Sequence, residues 1–459
     1  MHLANRRLAT IAPPPPAHIL GATRVIRLLL PASPMPHPQP HLLPAPPEPF
    51  PGWINVKEVP GELGGRLLLL FRSALLWAET PAGERETLFA GVGPEELDAR
   101  LDGIPPPEAL AEALRGLGAV RTEPGRARPA LVSRACDAVS AWAEGEGHTG
   151  TALAWARAAA SAYPPNVAAA YRVGIMARRR ADYATAEAWL QHAGSMARRH
   201  GDWYGFVLSL NSLGNLDAQR GEFGPARAHL AKALGAARRP RGRVEGGRKR
   251  LRLLEGDILH DLLMVAAYSG DYAGAERYAA EAFERMRAGH QRLPVLAHDV
   301  AVLWMERGNF GRALQVFDAI LPVIRNLDER LLVCCNLARC AGAEGRAEAY
   351  ARAAAEVWER IGGSAASSIP AGVYVNLARG AAGLRLWDDA ERAAVLAGEA
   401  AEVRQEVDQL AAARPLLDSV RLHRYADATP EPTSALAERA SRLLATKLVE
   451  ALTALRAGE

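Results

Sequence analysis

Two His-Asp dipeptides are the residues of this sequence whose types could do chemistry. His260-Asp261 and His298-Asp299 each place an imidazole beside a carboxylate, and such a pair can ligate one metal ion in a hydrolytic site. In both cases the histidine stands twelve residues before an aromatic residue of a similar short motif. This shared placement favours an interpretation as equivalent positions of a structural repeat. A metal-dependent hydrolase is kept as the lesser alternative.

Other catalytic signatures do not occur in the sequence. It contains no His-Glu-x-x-His, no phosphate-binding loop with Lys-Ser/Thr, no Gly-x-Ser-x-Gly and no dinucleotide-binding fingerprint. Three of the four cysteines, Cys334, Cys335 and Cys340, share one helical stretch and no second cluster faces them, which favours buried thiols over a zinc site or a disulfide framework. We therefore predict a protein that is not an enzyme, with no catalytic residue, no metal and no cofactor.

A basic segment between residues 238 and 252 is the second candidate for binding. It contains a single acid, Glu245, and the glycines and proline of its first part predict a loop. Such a cluster binds phosphate backbone or an acidic partner, but it has no aromatic residue of its own that would stack on bases. We favour a solvated insertion and keep nucleic-acid binding as an alternative. The basic residues are Arg238, Arg239, Arg241, Arg243, Arg248, Lys249, Arg250 and Arg252.

A recurrent turn between two helical patterns must position all of these residues. It consists of a small residue, an acid or amide and an aromatic, with an alanine three residues later. Successive copies are 34 to 49 residues apart. Self-similarity at this period indicates a solenoid of helix pairs. The copies are Gly147-His148-Thr149, Ala181-Asp182-Tyr183, Gly221-Glu222-Phe223, Gly270-Asp271-Tyr272, Gly308-Asn309-Phe310, the degenerate Gly345-Arg346-Ala347 and the looser Leu386-Trp387-Asp388.

Beyond the turn, the pattern resembles the tetratricopeptide repeat family. The family places a leucine ten residues before the aromatic, a small residue next to it, and an alanine ten residues after the aromatic. The resemblance covers roughly residues 133–402 and implies an all-α fold, an α-α superhelix of about seven repeats. The residues at the leucine position are Val173, Leu213, Leu262, Val300, Leu337 and Leu377.

The resemblance also implies which residues line a concave groove, because the first helix of each repeat faces it in the family. Asparagine there can hydrogen-bond a peptide backbone, and arginine toward the C-terminal end can hold a carboxylate. We expect an extended peptide of acidic character as the ligand, with two histidines that would make binding pH-sensitive. The groove residues are Tyr171, Asn211, Asn215, Asp257, His260, Met264, His298, Arg339 and Arg379.

Four regions are predicted along the chain. Residues 1–51 are rich in proline and are expected to be extended or disordered, because proline fixes φ and removes a hydrogen-bond donor. Residues 52–130 predict a small helical region. Residues 131–402 hold the repeats, and residues 403–459 predict helices that cap the stack.

Composition narrows the class of protein further. The 49% hydrophobic fraction excludes wholesale disorder, and its richness in alanine favours helices. The formal charge of +4 does not by itself imply a nucleic-acid partner. No run of eighteen apolar residues occurs, and prolines rather than an apolar stretch follow Arg6 and Arg7. We predict a cytoplasmic protein without membrane contact and leave its oligomeric state open.

The leading functional hypothesis is a scaffold or adaptor that recruits a protein or extended peptide. The alternative is a ligand-responsive or peptide-responsive regulator connected with nucleic acid through the basic segment. Bacterial peptide-sensing regulators resemble this arrangement of repeats. They carry a helix-turn-helix before the repeats, and residues 52–130 contain no convincing one.

Overall fold

The computed structural model describes residues 53–90, 107–241, 247–287, 289–362, 369–430 and 434–457. Within these ranges all regular structure is helical, which confirms the predicted fold class. The prediction for residues 1–51 lies outside the described residues, as does Arg243. The α-helices are α1 (Trp53–Glu58), α2 (Gly61–Glu79), α3 (Glu108–Thr122), α4 (Pro129–Gly145), α5 (Thr149–Ala162), α6 (Val167–Arg179), α7 (Tyr183–Arg199), α8 (Trp203–Gln219), α9 (Phe223–Arg238), α10 (Gly247–Tyr268), α11 (Tyr272–Met286), α12 (Leu293–Glu306), α13 (Phe310–Ile320), α14 (Leu327–Ala343), α15 (Ala347–Gly362), α16 (Ala371–Gly383), α17 (Trp387–Arg404), α18 (Val407–Arg421) and α19 (Ala435–Ala457).

The recurrent turn joins the two helices of each repeat in the same way in all seven copies. Its third residue begins the second helix, and its first residue has a φ between +59° and +81°. Glycine adopts this left-handed conformation without a Cβ clash, and it stands there in five copies. The other two copies use Ala181 and Arg385. The last turn is therefore Arg385-Leu386-Trp387, which corrects by one residue the assignment that the sequence pattern gave.

Where the second position of the turn is an aspartate, its side chain caps the helix that follows, whereas Glu222 at the same position makes no such hydrogen bond. The Asp182 side chain accepts a hydrogen bond from the Thr185 backbone N–H, and Asp271 does the same for Gly274. Such a cap satisfies a backbone donor that the helix itself cannot, which stabilises it by roughly 1 kcal/mol. In these two copies the turn sequence thus helps to fix where the second helix of the repeat begins.

Small residues allow the two helices of a repeat to approach closely. The alanine three residues after the turn is fully buried in most copies, as at Ala186 and Ala226. A Cβ added at Gly214 would stand 2.6 Å from the Leu230 Cγ atom, so that leucine packs directly on the backbone of the first helix. This fit accounts for the alanine-rich composition, since larger side chains at these positions would force the helices apart.

Contacts within the chain divide it into two compact units, whose boundary falls inside α10 between Leu254 and Glu255. In the N-terminal unit, the short helices that precede the repeats pack on the first repeat. Glu58 accepts hydrogen bonds from two backbone N–H groups at the start of α5, and the Trp155 indole donates to Asn55 at 2.8 Å. Residues of α1 and α2 therefore cover the apolar end of the repeat stack.

In the C-terminal unit, the chain returns to earlier repeats after α18. Residues 423–430, which we call the strap, form no helix, and α19 follows the strap and packs against α11, α12 and α13. Arg312 of α13 forms an ion pair with Glu438 at 2.6 Å, and the Ser441 hydroxyl donates to Glu276 at 2.7 Å. No helix among the described residues is long and apolar enough to cross a membrane.

Candidate functional site

A network of buried polar side chains connects the first helices of successive repeats in the C-terminal unit, with Asp299 at its centre. His260 donates from Nε2 to one Asp299 oxygen at 2.7 Å, and His298 donates from Nδ1 to the other at 3.0 Å. The remaining imidazole nitrogens accept hydrogen bonds, from Arg292 at 3.3 Å and from Asn336 at 3.2 Å. These partners assign opposite neutral tautomers to the two histidines. We refer to this group as the Asp299 network.

The electrostatics of Asp299 fit an acceptor that is ionised at neutral pH. Burial alone would raise the pKa of this carboxyl, because it disfavours the charged form. The hydrogen bonds from His260 and His298 outweigh burial and lower the pKa to about 2. The carboxylate therefore holds both imidazoles in place at neutral pH.

This geometry bears directly on the alternative of a metal-dependent hydrolase. Both nitrogens of His260 and of His298 have partners within the chain, so neither imidazole offers a lone pair to a metal without first breaking a hydrogen bond. Across the described ranges, no group of three or more His, Cys, Asp or Glu residues has an arrangement that could hold a metal ion. The contacts of the two histidines support a structural role at equivalent repeat positions.

The Asp299 network extends to Arg339 in the next repeat. Asn376 donates to Asn336 at 2.7 Å, and Arg339 lies 3.5 Å from the Asn376 side-chain oxygen. Arg339 is only 1% exposed. Its buried guanidinium also donates to Glu306 at 2.6 Å, so it lies between polar groups of α12 and α16.

The remaining partner of Arg339 comes from the strap. Asp427 accepts two hydrogen bonds from the guanidinium, at 3.1 Å to Nε and 2.9 Å to Nη2, across 88 residues of sequence. Burial lowers the pKa of Arg339, but Glu306 and Asp427 outweigh it and raise the pKa above its ordinary value. This fork-to-carboxylate pair is the strongest type of side-chain hydrogen bonding available to arginine.

The strap crosses the turns of three successive repeats on its way. His423 stacks on Trp387, with ring centres 4.7 Å apart and planes 12° from parallel. At Gly308 an added Cβ would stand 2.7 Å from the Ala428 carbonyl oxygen. A cavity of about 790 Å³ lies between the strap and the turns, and its wall includes Arg385. The strap is therefore held on the repeats by the ion pair of Asp427, the stacked ring of His423 and the close backbone contact at Ala428.

The predicted groove residues mostly contact neighbouring first helices. Asp257 pairs with Arg292 at 2.8 Å, and the Tyr171 hydroxyl lies 2.8 Å from that of Ser212. Arg379 is half-buried. Burial and Asp427 raise the pKa of Tyr425 in the strap, and the positive charge of Arg379 opposes this rise. Asn211, His260 and Arg339 are buried, whereas Tyr171, Asn215, Asp257, Met264, His298 and Arg379 are half-buried.

Sequence reasoning missed the strap as part of this site. Asp427 stands in a polar connection between two helices and belongs to no repeat, so periodicity gives it no register. Glu306 is likewise outside the groove positions that the family resemblance supplied. The only local signal is an aspartate in a long, helix-free connection that follows an array of helix pairs.

The helix pairs, their common turn and their stacked first helices define a tetratricopeptide-like helical-repeat fold. This agrees with the resemblance that the sequence pattern indicated. The assignment rests on the register of the seven turns and on the small residues that pack between the paired helices.

Comparison with known proteins gives likenesses in fold. No protein-family model matches the chain, and no curated protein matches its sequence. A tetratricopeptide repeat protein from Parabacteroides merdae is similar at 17% identity with a TM-score of 0.39, over 61% of this chain and 98% of the other. A signal transduction ATPase with a tetratricopeptide repeat sensor from Pyrococcus horikoshii is similar at 11% identity with a TM-score of 0.48, over 81% of this chain and 62% of the other. A Rap protein complexed with competence and sporulation factor is similar at 12% identity with a TM-score of 0.33, over 78% of this chain and 97% of the other.

Proposed function

We propose that this chain is a non-enzymatic scaffold that binds a protein or an extended peptide through the first helices of its repeats. The observation that carries the proposal is the pair between Arg339 and Asp427. In it, a buried arginine holds a carboxylate from a helix-free segment that is remote in sequence. The face of α12, α14 and α16 thus has the chemistry to bind a carboxylate that an extended segment presents.

The surroundings of Arg339 support recognition of a carboxylate in a defined place. Glu306 and Asn376 hold the guanidinium through its Nη1 atom. Little side-chain entropy is therefore lost when a carboxylate binds the Nε and Nη2 atoms. The pair is shielded from water, which strengthens it relative to a surface ion pair. The adjacent cavity of about 790 Å³ has room for neighbouring side chains of a partner.

We propose further that the strap is an occupant of this site within the chain itself. A partner that presents an aspartate or glutamate in an extended segment would take the place of Asp427 on Arg339. When Asp427 leaves Arg339, the guanidinium is still paired with Glu306. The buried arginine therefore keeps a counter-charge while a partner's carboxylate replaces that of Asp427. Partner binding then competes with the strap and is weakened by it.

A labelled peptide with the sequence of residues 421–430 provides the probe. We expect it to bind the Asp427→Ala protein at least about tenfold more tightly than the unaltered protein, since the resident carboxylate is gone. A peptide with alanine in place of its aspartate should lose that binding. Asp418→Ala, at an exposed position of α18, is the matched control and should behave as the unaltered protein does. Fluorescence anisotropy measures both peptides against the three proteins, six combinations in all.

Hydrogen exchange of residues 423–430 shows whether the substitution frees the strap. If Asp427→Ala speeds exchange there and the aspartate-bearing peptide still does not bind, the proposed recognition of a carboxylate in an extended segment is wrong. If the peptide binds equally well with and without its aspartate, Arg339 is not the group that recognises it.

The regulator alternative is favoured by one observation, the exposed basic surface of the N-terminal unit. The hydrolase alternative has less support, because the hydrogen bonds of the Asp299 network already use the imidazoles of His260 and His298. Metal analysis of the purified protein would test it, and a stoichiometric metal lost in a His298→Gln variant would revive it.

A further inference from the structure

The surface formed by the end of α9 and the start of α10 concentrates positive charge. Between Phe223 and Leu254, the described residues include nine lysines or arginines and no aspartate or glutamate. All the cations at the facing ends of the two helices are exposed. We call these residues the basic edge: Arg238, Arg239, Arg241, Arg248, Lys249, Arg250 and Arg252.

The fold brings aromatic side chains to this edge that the basic segment itself lacks. Trp203 begins α8, and its indole donates to the Ala236 carbonyl oxygen at 2.8 Å, beside the end of α9. The next residue, Tyr204, lies under the Arg250 guanidinium at 4.0 Å from the ring centre. Both aromatic residues are half-buried. The aromatic pair therefore stands between the two halves of the basic edge.

Three cations at the start of α10 are not balanced by a nearby acid among the described residues. In the stretches that the structure describes, Arg248, Lys249 and Arg252 form no ion pair. Arg248 and Lys249 also stand in the first turn of α10, where the helix dipole disfavours cations by roughly 0.3–1 kcal/mol each. Arg198 and Arg199 add further positive charge at the end of α7, just before Trp203. An anionic ligand with several charges would reverse this repulsion.

We propose that the basic edge binds single-stranded nucleic acid without sequence preference. A strand supplies a phosphate at each nucleotide, and its neutralisation by arginine and lysine releases condensed counterions, which drives binding. Aromatic rings and guanidinium planes among the cations offer stacking faces to unpaired bases. Arg250 on Tyr204 presents such a plane in a fixed orientation. This site is independent of Arg339 and of the strap.

The test measures binding of a labelled oligothymidine of about 20 nucleotides, a length that spans a site of this size, over a range of salt concentrations. With about five phosphates neutralised, the logarithm of affinity should fall with the logarithm of salt at a slope of about −3 to −4. The variant Arg248→Gln/Lys249→Gln/Arg252→Gln should weaken binding at low salt by at least about tenfold and reduce the slope by about 2.

A charge-matched control separates this site from general attraction to a basic protein. Arg115, Arg134 and Arg180 are exposed positions of the same unit, and their triple change to glutamine should leave affinity within about twofold. Equal losses in the two triple variants would overturn the proposal. The proposal would also be overturned if no strand bound at low salt, or if a duplex of the same length bound equally well or more tightly. Displacement of the strand by polyglutamate at matched charge would overturn it too, and would assign the basic edge to an acidic protein.

Discussion

Gly308 offers a direct way to perturb the strap without touching a charged group. It is the first residue of a repeat turn and has a φ of +74°, and the strap backbone passes directly above it. Gly270 occupies the same position of another turn, with a φ of +78° and nothing within 4 Å of an added Cβ. The two alanine variants therefore share the backbone cost, and only Gly308→Ala adds a contact with the strap.

The expected magnitudes follow from the geometry. An alanine in the left-handed region costs about 1–2 kcal/mol at either site. At Gly308 the new methyl group would lie 2.7 Å from the Ala428 oxygen and 2.7 Å from the Thr429 carbonyl carbon, well inside the usual contact distance of about 3.5 Å. Relief of this overlap costs typically a further 1–3 kcal/mol. The strap must move outward, which lengthens the neighbouring bond from Arg339 to Asp427.

Denaturant unfolding of the C-terminal unit and hydrogen exchange of the strap are the two measurements. We expect Gly308→Ala to be less stable than Gly270→Ala by about 1–3 kcal/mol and to be the only one of the two that speeds exchange of residues 425–430. Equal stabilities within about 0.5 kcal/mol, together with unchanged exchange in both variants, would refute the close packing of the strap on this turn.

Three further predictions follow from individual side chains. Because the pKa of Asp299 is lowered to about 2 from its ordinary 3.8, its stabilising effect of about 2 kcal/mol is present above pH 3.8 and is lost as the pH falls toward 2; unfolding curves should show this loss, and an Asp299→Asn variant with the same acid dependence would contradict it. Burial raises the pKa of the Cys335 thiol to about 12, so iodoacetamide near pH 8 should not label it in the native protein, and mass spectrometry that found full labelling would be decisive against this. Ala181→Gly should raise the melting temperature, because it removes a left-handed alanine that costs about 1–2 kcal/mol, of which the greater chain entropy of glycine cancels about 0.5–1 kcal/mol. A lower melting temperature would contradict the conformation of that turn.

The repeat fold could be predicted because its signals are local. A glycine at the left-handed position, an acid that caps the next helix and an alanine under the turn all act within a few residues, so sequence alone reveals them. The one error of register, at Arg385, arose where an arginine adopts the conformation that glycine adopts elsewhere. The equivalence of the two His-Asp dipeptides was likewise visible, because it depends only on their distance from the turn.

The rest of the candidate site could not be predicted from the sequence, because it depends on contacts over long separations. Asp427 reaches Arg339 across 88 residues, and Asn376 reaches Asn336 across 40. The sequence also separates Tyr204 from the basic segment that the fold places beside it. Such pairings follow from how the repeats stack, and no periodic pattern of side chains records them.

The direction of the hydrogen bonds in the Asp299 network limits how this array could change in length. Donation runs from Arg339 through Asn376, Asn336 and His298 toward Asp299, and on the other side from Arg292 through His260 to the same carboxylate. Uniform arrays with identical interfaces can gain or lose a unit by duplication or deletion. Here each repeat contributes a different donor or acceptor to one ordered chain of hydrogen bonds. A duplicated or deleted repeat would therefore leave a buried donor or acceptor without a partner. The C-terminal repeats are therefore not interchangeable, and chimaeras that shuffle them should fold less well than those that exchange the whole set.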